Sequence, residues 1–232
     1  MWQAFVDLHA SQDFVLIAVA MDVGGIKDCK PIYEDAGAKY VTLVDPQNTM
    51  GEAWGFKVVP NGWLIDESGT LQGKWVGGFE VRRPQIIEKV EEFLAAHAVK
   101  KGEITRSKSD DELLEGYLTD LKRDPENGKA NLEAGKILLR KGKAKQAAIH
   151  LGKAYNAMPK DASVLFTMGS CALALDDKDS ALVMMKNALR LDPDNYLIRK
   201  QIWHIEYPER FHPEIDWGWQ REQLARERSK GG

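Results

Sequence analysis

Pro159 and Pro193 stand 34 residues apart, and the residues ahead of them keep step at the same offset. Gly135 answers to Gly169, Ala147 to Ala181, Leu151 to Met185, Ala154 to Ala188 and Leu132 to Phe166. A register held over such a period signals stacked helical hairpins, because each hairpin needs a neighbour to bury its apolar face. Small residues belong where the two helices approach closely, large ones fill the groove between them, and proline ends the second helix. Pro125 lies one further period upstream. Ser109-Asp110-Asp111-Glu112 reads as a helix start with an acidic first turn. Leu113, Leu114, Tyr117, Leu118 and Leu121 then form an apolar stripe at helical spacing. The helix over 110–123 is therefore expected to stack like the second helix of a preceding repeat.

Residues 126–200 thus resemble two tetratricopeptide repeats, with small residues at the helix contacts and a proline at the end of each unit. The aromatic positions depart from that family's pattern: Asn131 and Leu165 stand at its tryptophan position, Leu138 and Ala172 at its tyrosine position. The resemblance implies a concave groove for a protein or peptide partner. The first-helix faces carry Lys129, Asn131, Lys136 and Arg140, but their spacing does not match the family's carboxylate clamp, and that role is not carried over. The competing expectation is a helical scaffold that packs on its own neighbouring domain.

The first hundred residues follow a different rhythm. Residues 2–11 read as a helix with Trp2, Phe5, Val6 and His9 on one side. Residues 14–21 are one apolar run, as in a parallel strand buried on both faces. A helix over 26–36, interrupted near Pro31, a strand over 40–44 and a short helix over 49–54 follow. The stretch Lys57 to Asp66 comes next, and the short run Trp63-Leu64-Ile65 reads as a buried strand. Pro60 belongs at that strand's start, where a cis bond makes a tight turn. Glu67-Ser68-Gly69-Thr70 turns the chain into a strand over 71–76, and an amphipathic helix over 81–97 has Pro84 in its first turn.

Val58-Val59-Pro60, a strand ending in Asp66 and the Ser-Gly turn resemble the second half of a thioredoxin fold, most closely its redoxin or TlpA-like branch. The resemblance covers residues 1–97. The expected fold is thus an α/β thioredoxin-like domain, N-terminally incomplete, followed by an all-α tetratricopeptide domain. Residues 98–125 would be a charged linker and connecting helix, and residues 201–232 an aromatic capping tail. The resemblance implies thiol–disulfide exchange or peroxide reduction, with Val59 and Pro60 as substrate-binding residues. It also implies a periplasmic or other extracytoplasmic setting.

The departure is large. The family places a strand and a Cys-x-x-Cys just before the first helix, and this chain starts inside that helix. The missing strand would lie between the strand at 14–21 and the strand at 57–66. Filling that gap with a strand lent by a second copy is one arrangement the sequence allows. The two cysteines, Cys29 and Cys171, stand far apart in sequence and form no Cys-x-x-Cys pair, no metal-ligand spacing and no disulfide framework. Cys29 is a candidate thiol, because Lys30 and a nearby helix start both favour the thiolate; its plainer reading is a packing residue, as for Cys171. No catalytic residue is assigned, and no cofactor is expected.

A net charge of −3 gives no general attraction for nucleic acid or an anionic membrane. No apolar run approaches the ~20 residues that span a bilayer. Met1 is followed directly by Trp2-Gln3-Ala4-Phe5, without a basic leader and cleavage site. In the tail, Trp217 and Trp219 suit a cap on the last repeat. His204 and His212, eight apart across a proline, are too weak a pattern for a metal site. Two functional expectations follow: an oxidoreductase whose catalytic cysteines are absent from this chain, or a non-catalytic scaffold that binds proteins through its repeats.

Overall fold

The computed structural model describes residues 2–97, 108–211 and 215–230. Its C-terminal part is a stack of antiparallel helices. They are α5 (Asp110–Arg123), α6 (Gly128–Arg140), α7 (Ala144–Ala157), α8 (Ala162–Ala174), α9 (Lys178–Leu191) and α10 (Tyr196–Glu206). Pro125, Pro159 and Pro193 lie in the turns after α5, α7 and α9, at the places that the 34-residue period marks, while Gly142 turns α6 into α7 and Asp176, at φ 61°, turns α8 into α9. Ala147, Ala154, Ala181 and Ala188 are fully buried, together with Leu151 and Met185. A Cβ on Gly135 would sit 2.6 Å from Leu151 Cδ2, and one on Gly169 would sit 2.7 Å from Met185 Cγ. Only glycine lets the two helices of each hairpin approach that closely. This part is compatible with a tetratricopeptide-like array.

Local chemistry sets the helix starts. The Ser109 hydroxyl accepts from the Glu112 N–H while the Glu112 carboxylate accepts from the Ser109 N–H, closing a capping box at the head of α5. Asn127, Asp161, Asp177 and Asn195 cap α6, α8, α9 and α10 through side-chain oxygens. Arg140 donates twice to Asp110, at 3.0 and 2.7 Å, and ties α5 to α6.

The N-terminal part contains α1 (Trp2–Leu8), β1 (Ile17–Ala20), α2 (Ile26–Asp35), β2 (Val41–Val44), α3 (Thr49–Trp54), β3 (Gly62–Ile65), β4 (Leu71–Trp75) and α4 (Pro84–Ala96). Pro31 lies inside α2 without interrupting it. The strands do not form one sheet. β1 pairs in parallel with β2, β3 pairs antiparallel with β4, and among the described residues no strand pairing joins the two ribbons.

This layout corrects two expectations. The run at 14–21 forms only a four-residue strand, and its Ile17 is 54% exposed. Leu43 on β2 is 52% exposed, and Ile65 at the end of β3 is also open. An apolar strand is buried on both faces only when layers cover both. Among the described residues β1 has a partner along one edge alone. The core of this part is correspondingly small: Phe5 of α1 with Ile86, Val90 and Leu94 of α4, flanked by Trp2, Phe14, Leu64, Trp75 and Phe79.

The tail is structured further than its composition suggests. A short 3₁₀ turn (Pro208–Arg210) leads toward α11 (Trp217–Lys230). Trp203 of α10 packs edge-on against Trp219 of α11, with ring centroids 5.6 Å apart. Its Nε1 donates to Glu227 at 2.7 Å. Gln220 accepts from the Tyr196 hydroxyl at 2.9 Å. α11 thus covers the outer face of α10.

Candidate functional site

The loop before β3 has a cis peptide between Val59 and Pro60, as expected at this position. Asn61 staples it in place. Its Nδ2 donates to the Val58 carbonyl at 2.5 Å, and its Oδ1 accepts from the Gly77 N–H at 2.7 Å. Gly77 and Gly78 both take positive φ, 76° and 72°, so the strap that holds the loop is built from residues that adopt that backbone freely. The Phe79 N–H adds a bond to the Pro60 carbonyl. Pro60 stays exposed and Val59 half-buried. The staple fixes a rigid, open backbone edge, the kind of surface along which an extended chain can lie.

Cys29 lies elsewhere and in the wrong electrostatic setting. It is 8% exposed on α2, and its thiol donates to Asp22 Oδ2 at 3.6 Å. Burial pushes its pKa up, and the charges of Asp22 and Asp28 push it further, to about 12. The sequence signals for a lowered pKa, Lys30 and the helix start, are outweighed by these two carboxylates and by desolvation. Cys171 is buried too, donates to the Ala144 carbonyl at 3.4 Å, and is also shifted upward by burial. Both thiols are free.

The upward shift on Cys29 has a testable sign. A neutral thiol favoured in the folded state supports stability fully below its ordinary pKa of 9.0, and that support is lost as the pH rises toward 12. Cys29→Ala should therefore flatten the fall in urea midpoint between pH 9 and 11. Iodoacetamide should label Cys29 at pH 8 at least about 100-fold more slowly in the folded protein than in urea. Equal labelling rates would refute the shift.

The repeat face is occupied by the chain's own N-terminal part. Gln201 of α10 brackets the loop after β1: its Nε2 donates to the Met21 carbonyl at 2.7 Å and its Oε1 accepts from the Val23 N–H at 3.1 Å. Val23 packs on the cluster formed by Leu165, Phe166, Ile198 and Ile202. The Lys57 carbonyl accepts from Leu197, one of the orphan N–H donors at the start of α10. Lys57 Nζ pairs with Asp192 at 2.6 Å.

Lys136 completes this docking. Its side chain is 2% exposed and bonds to Glu52 of α3 and, at 3.1 Å, to Glu133. Burial alone would lower its pKa, but the two carboxylates outweigh burial and hold the ammonium above its usual range. The other residues weighed for a carboxylate clamp are engaged as well. Asn131 donates to the Pro125 and Asn127 carbonyls and contacts His150 at 2.9 Å, and Arg140 serves Asp110. Lys129 stays exposed beside a groove of about 530 Å³ that Tyr117, Asp120 and Glu133 also line. The expectation that the repeats pack on their own neighbouring domain is the one this geometry matches.

Among the described residues no group of three His, Cys, Asp or Glu side chains is arranged to hold a metal ion. His204 lies 3.8 Å from Asp28 and stacks on Phe211, while His212 falls outside the described residues. No helix among the described residues is long and apolar enough to cross a membrane.

Sequence reading missed Gln201, Glu52 and Lys57 as docking residues. Only the pair Glu133–Lys136, three apart on one helix face, left a local trace. No family model matches the chain, and no curated protein matches it.

Proposed function

We propose that this chain is part of a thioredoxin-like thiol–disulfide oxidoreductase of the redoxin or TlpA-like type. It supplies the substrate-docking loop at Val59 and Pro60, and a helical-repeat domain that clamps the loop's supporting layer. The reacting cysteines are contributed from outside these 232 residues. The observation that carries this reading is the Pro60 loop, stapled by Asn61, heading a two-stranded ribbon that among the described residues shares no pairing with the β1–β2 ribbon. The exposed aliphatic residues of both ribbons support it, since an added central strand would give them the cover and the hydrogen-bond partners they lack.

A second reading, a non-catalytic scaffold that binds a partner through the repeats, is favoured by the chemistry of the thiols. Cys29 and Cys171 are both buried and both shifted away from the thiolate. The two readings part on one experiment. The 232-residue chain alone is expected to reduce insulin disulfides no faster than dithiothreitol does. The protein isolated from its source, sized by intact mass spectrometry, is expected to carry a further Cys-x-x-Cys and to accelerate the reaction. A native mass that leaves room for no cysteine beyond Cys29 and Cys171 would sink the oxidoreductase reading and leave the scaffold.

A further inference from the structure

Docking of the N-terminal part leaves one stretch of the repeat face open. A groove of about 530 Å³ lies there, a volume within the range of small-ligand sites. Three parts of the chain build it: Glu52 of α3, Tyr117 and Asp120 of α5, and the face of α6 that carries Lys129, Glu133 and Lys136. Buried Leu132 underlies it, and half-buried Met158 and Tyr117 give it apolar sides.

The charge of this groove is lopsided. Four carboxylates, Glu52, Asp120, Glu133 and Asp161, face two ammonium groups, Lys129 and Lys136. Their commitments do not restore the balance. Glu52 and Glu133 share the single cation of Lys136, so one negative charge is left over, and both side chains stay open to water, at 32% and 35%. Asp161 accepts from the Ser163 and Val164 N–H groups at 2.8 and 3.1 Å, bonds that orient its charge without cancelling it. Asp120 is exposed and has no charged partner among the described residues. Lys129, likewise exposed, offsets one of these charges. An excess of two negative charges remains beside an aromatic wall, on side chains that solvent reaches.

That combination selects guanidinium groups over other cations. A guanidinium pairs with carboxylates through a planar fork, stacks on aromatic rings and sheds water more readily than an ammonium. Its aliphatic stem suits apolar walls such as Met158 and Leu132. Two arginines at alternate positions of an extended chain point to the same side about 7 Å apart, so one peptide can present both to a single groove. We propose that this groove binds an extended basic peptide through two arginine side chains. Asp120 takes one guanidinium beside Tyr117, and the surplus charge of Glu52 and Glu133 draws the second. The inference rests on the reading of the repeats as a partner-binding scaffold, and it names the partner as a basic peptide. A carboxylate clamp would need a groove of the opposite sign.

The test is calorimetric titration of the 232-residue chain with acetyl-Ala-Arg-Leu-Arg-Ala-amide, with the same peptide carrying citrulline in place of arginine, and with spermidine. The arginine peptide is expected to bind at least about tenfold tighter than the citrulline peptide, and to weaken as salt rises from about 50 to about 300 mM. Asp120→Lys should weaken it at least about tenfold, and Lys129→Glu should tighten it about threefold. Both positions are exposed, so circular dichroism should stay unchanged. Equal binding of the two peptides, variants that do not move the affinity in opposite directions, or spermidine that displaces the peptide at equal concentration would each overturn the proposal. The scaffold reading is tested separately, by the native mass. Failure of peptide binding leaves that measurement untouched, and a native chain with a further Cys-x-x-Cys leaves the affinity of the groove measurable.

Discussion

Trp203→Ala is expected to cost about 3–5 kcal/mol of folding stability, the range for emptying a buried aromatic site. Trp203 is 1% exposed and, among the described residues, is the largest side chain buried to that degree. Its ring meets Tyr196 and Trp219 edge-on at 5.9 and 5.6 Å, so one truncation strips contacts from α10 and α11 together. The loss comes chiefly from the cavity. Glu227 keeps Arg199 and Gln223 as partners when the indole N–H is gone. Trp203→Phe, which drops the donor and about a third of the ring atoms, should cost about 1–3 kcal/mol. Urea unfolding followed by far-ultraviolet circular dichroism measures both. A loss below about 1 kcal/mol for the alanine variant would mean that α11 is no cap at all.

Lys136→Ala is the second large effect. It removes the cation between Glu52 on α3 and Glu133 on α6, and leaves two carboxylates facing a vacated buried site. Breaking a buried pair commonly costs about 3–5 kcal/mol; with both carboxylates about one-third open to water, about 2–4 kcal/mol is expected here. The Lys136 ammonium is held above its usual 10.5. Its contribution is therefore complete below that pH and disappears as the pH rises through the raised value. The N-terminal part has a small core of its own, so weakening its dock should split a single urea transition into two, with that part unfolding first. Moderate salt should barely change the wild-type midpoint, because a buried pair is poorly screened. One unshifted transition in the variant would show that Gln201, Val23 and Leu197 hold the dock without the ion pair.

What could be read from the sequence was what depends on near neighbours. The 34-residue register located the helix pairs because Gly135 and Gly169 must sit where Leu151 and Met185 cross, a constraint internal to each hairpin. The helix start at Ser109 was legible for the same reason, and the capping box with Glu112 that the structure shows there spans three residues. The cis turn at Pro60 was legible because proline before a short strand leaves few other geometries. The candidate site was legible only in its loop. The strap that holds the loop was not legible, since nothing local joins Asn61 to Gly77, 16 residues further on.

The sequence by itself determined the helix pairs, the helix start at Ser109 and the loop at Pro60, since turn chemistry and periodicity act over a few residues and do not wait for the rest of the chain. Only the tertiary structure decided which surfaces those elements meet. The apolar run at 14–21 records that burial suits it, yet burial needs a second layer, and Ile17 lies open because none covers it. Lys30 beside Cys29 suggested a reactive thiolate, and Asp22 and Asp28, brought alongside by folding, reversed the sign. Lys136 stood among candidates for gripping a partner, and Glu52, 84 residues upstream, takes it instead. In each case the local chemistry was correctly read, and a long-range Coulomb or packing term of larger size set the outcome.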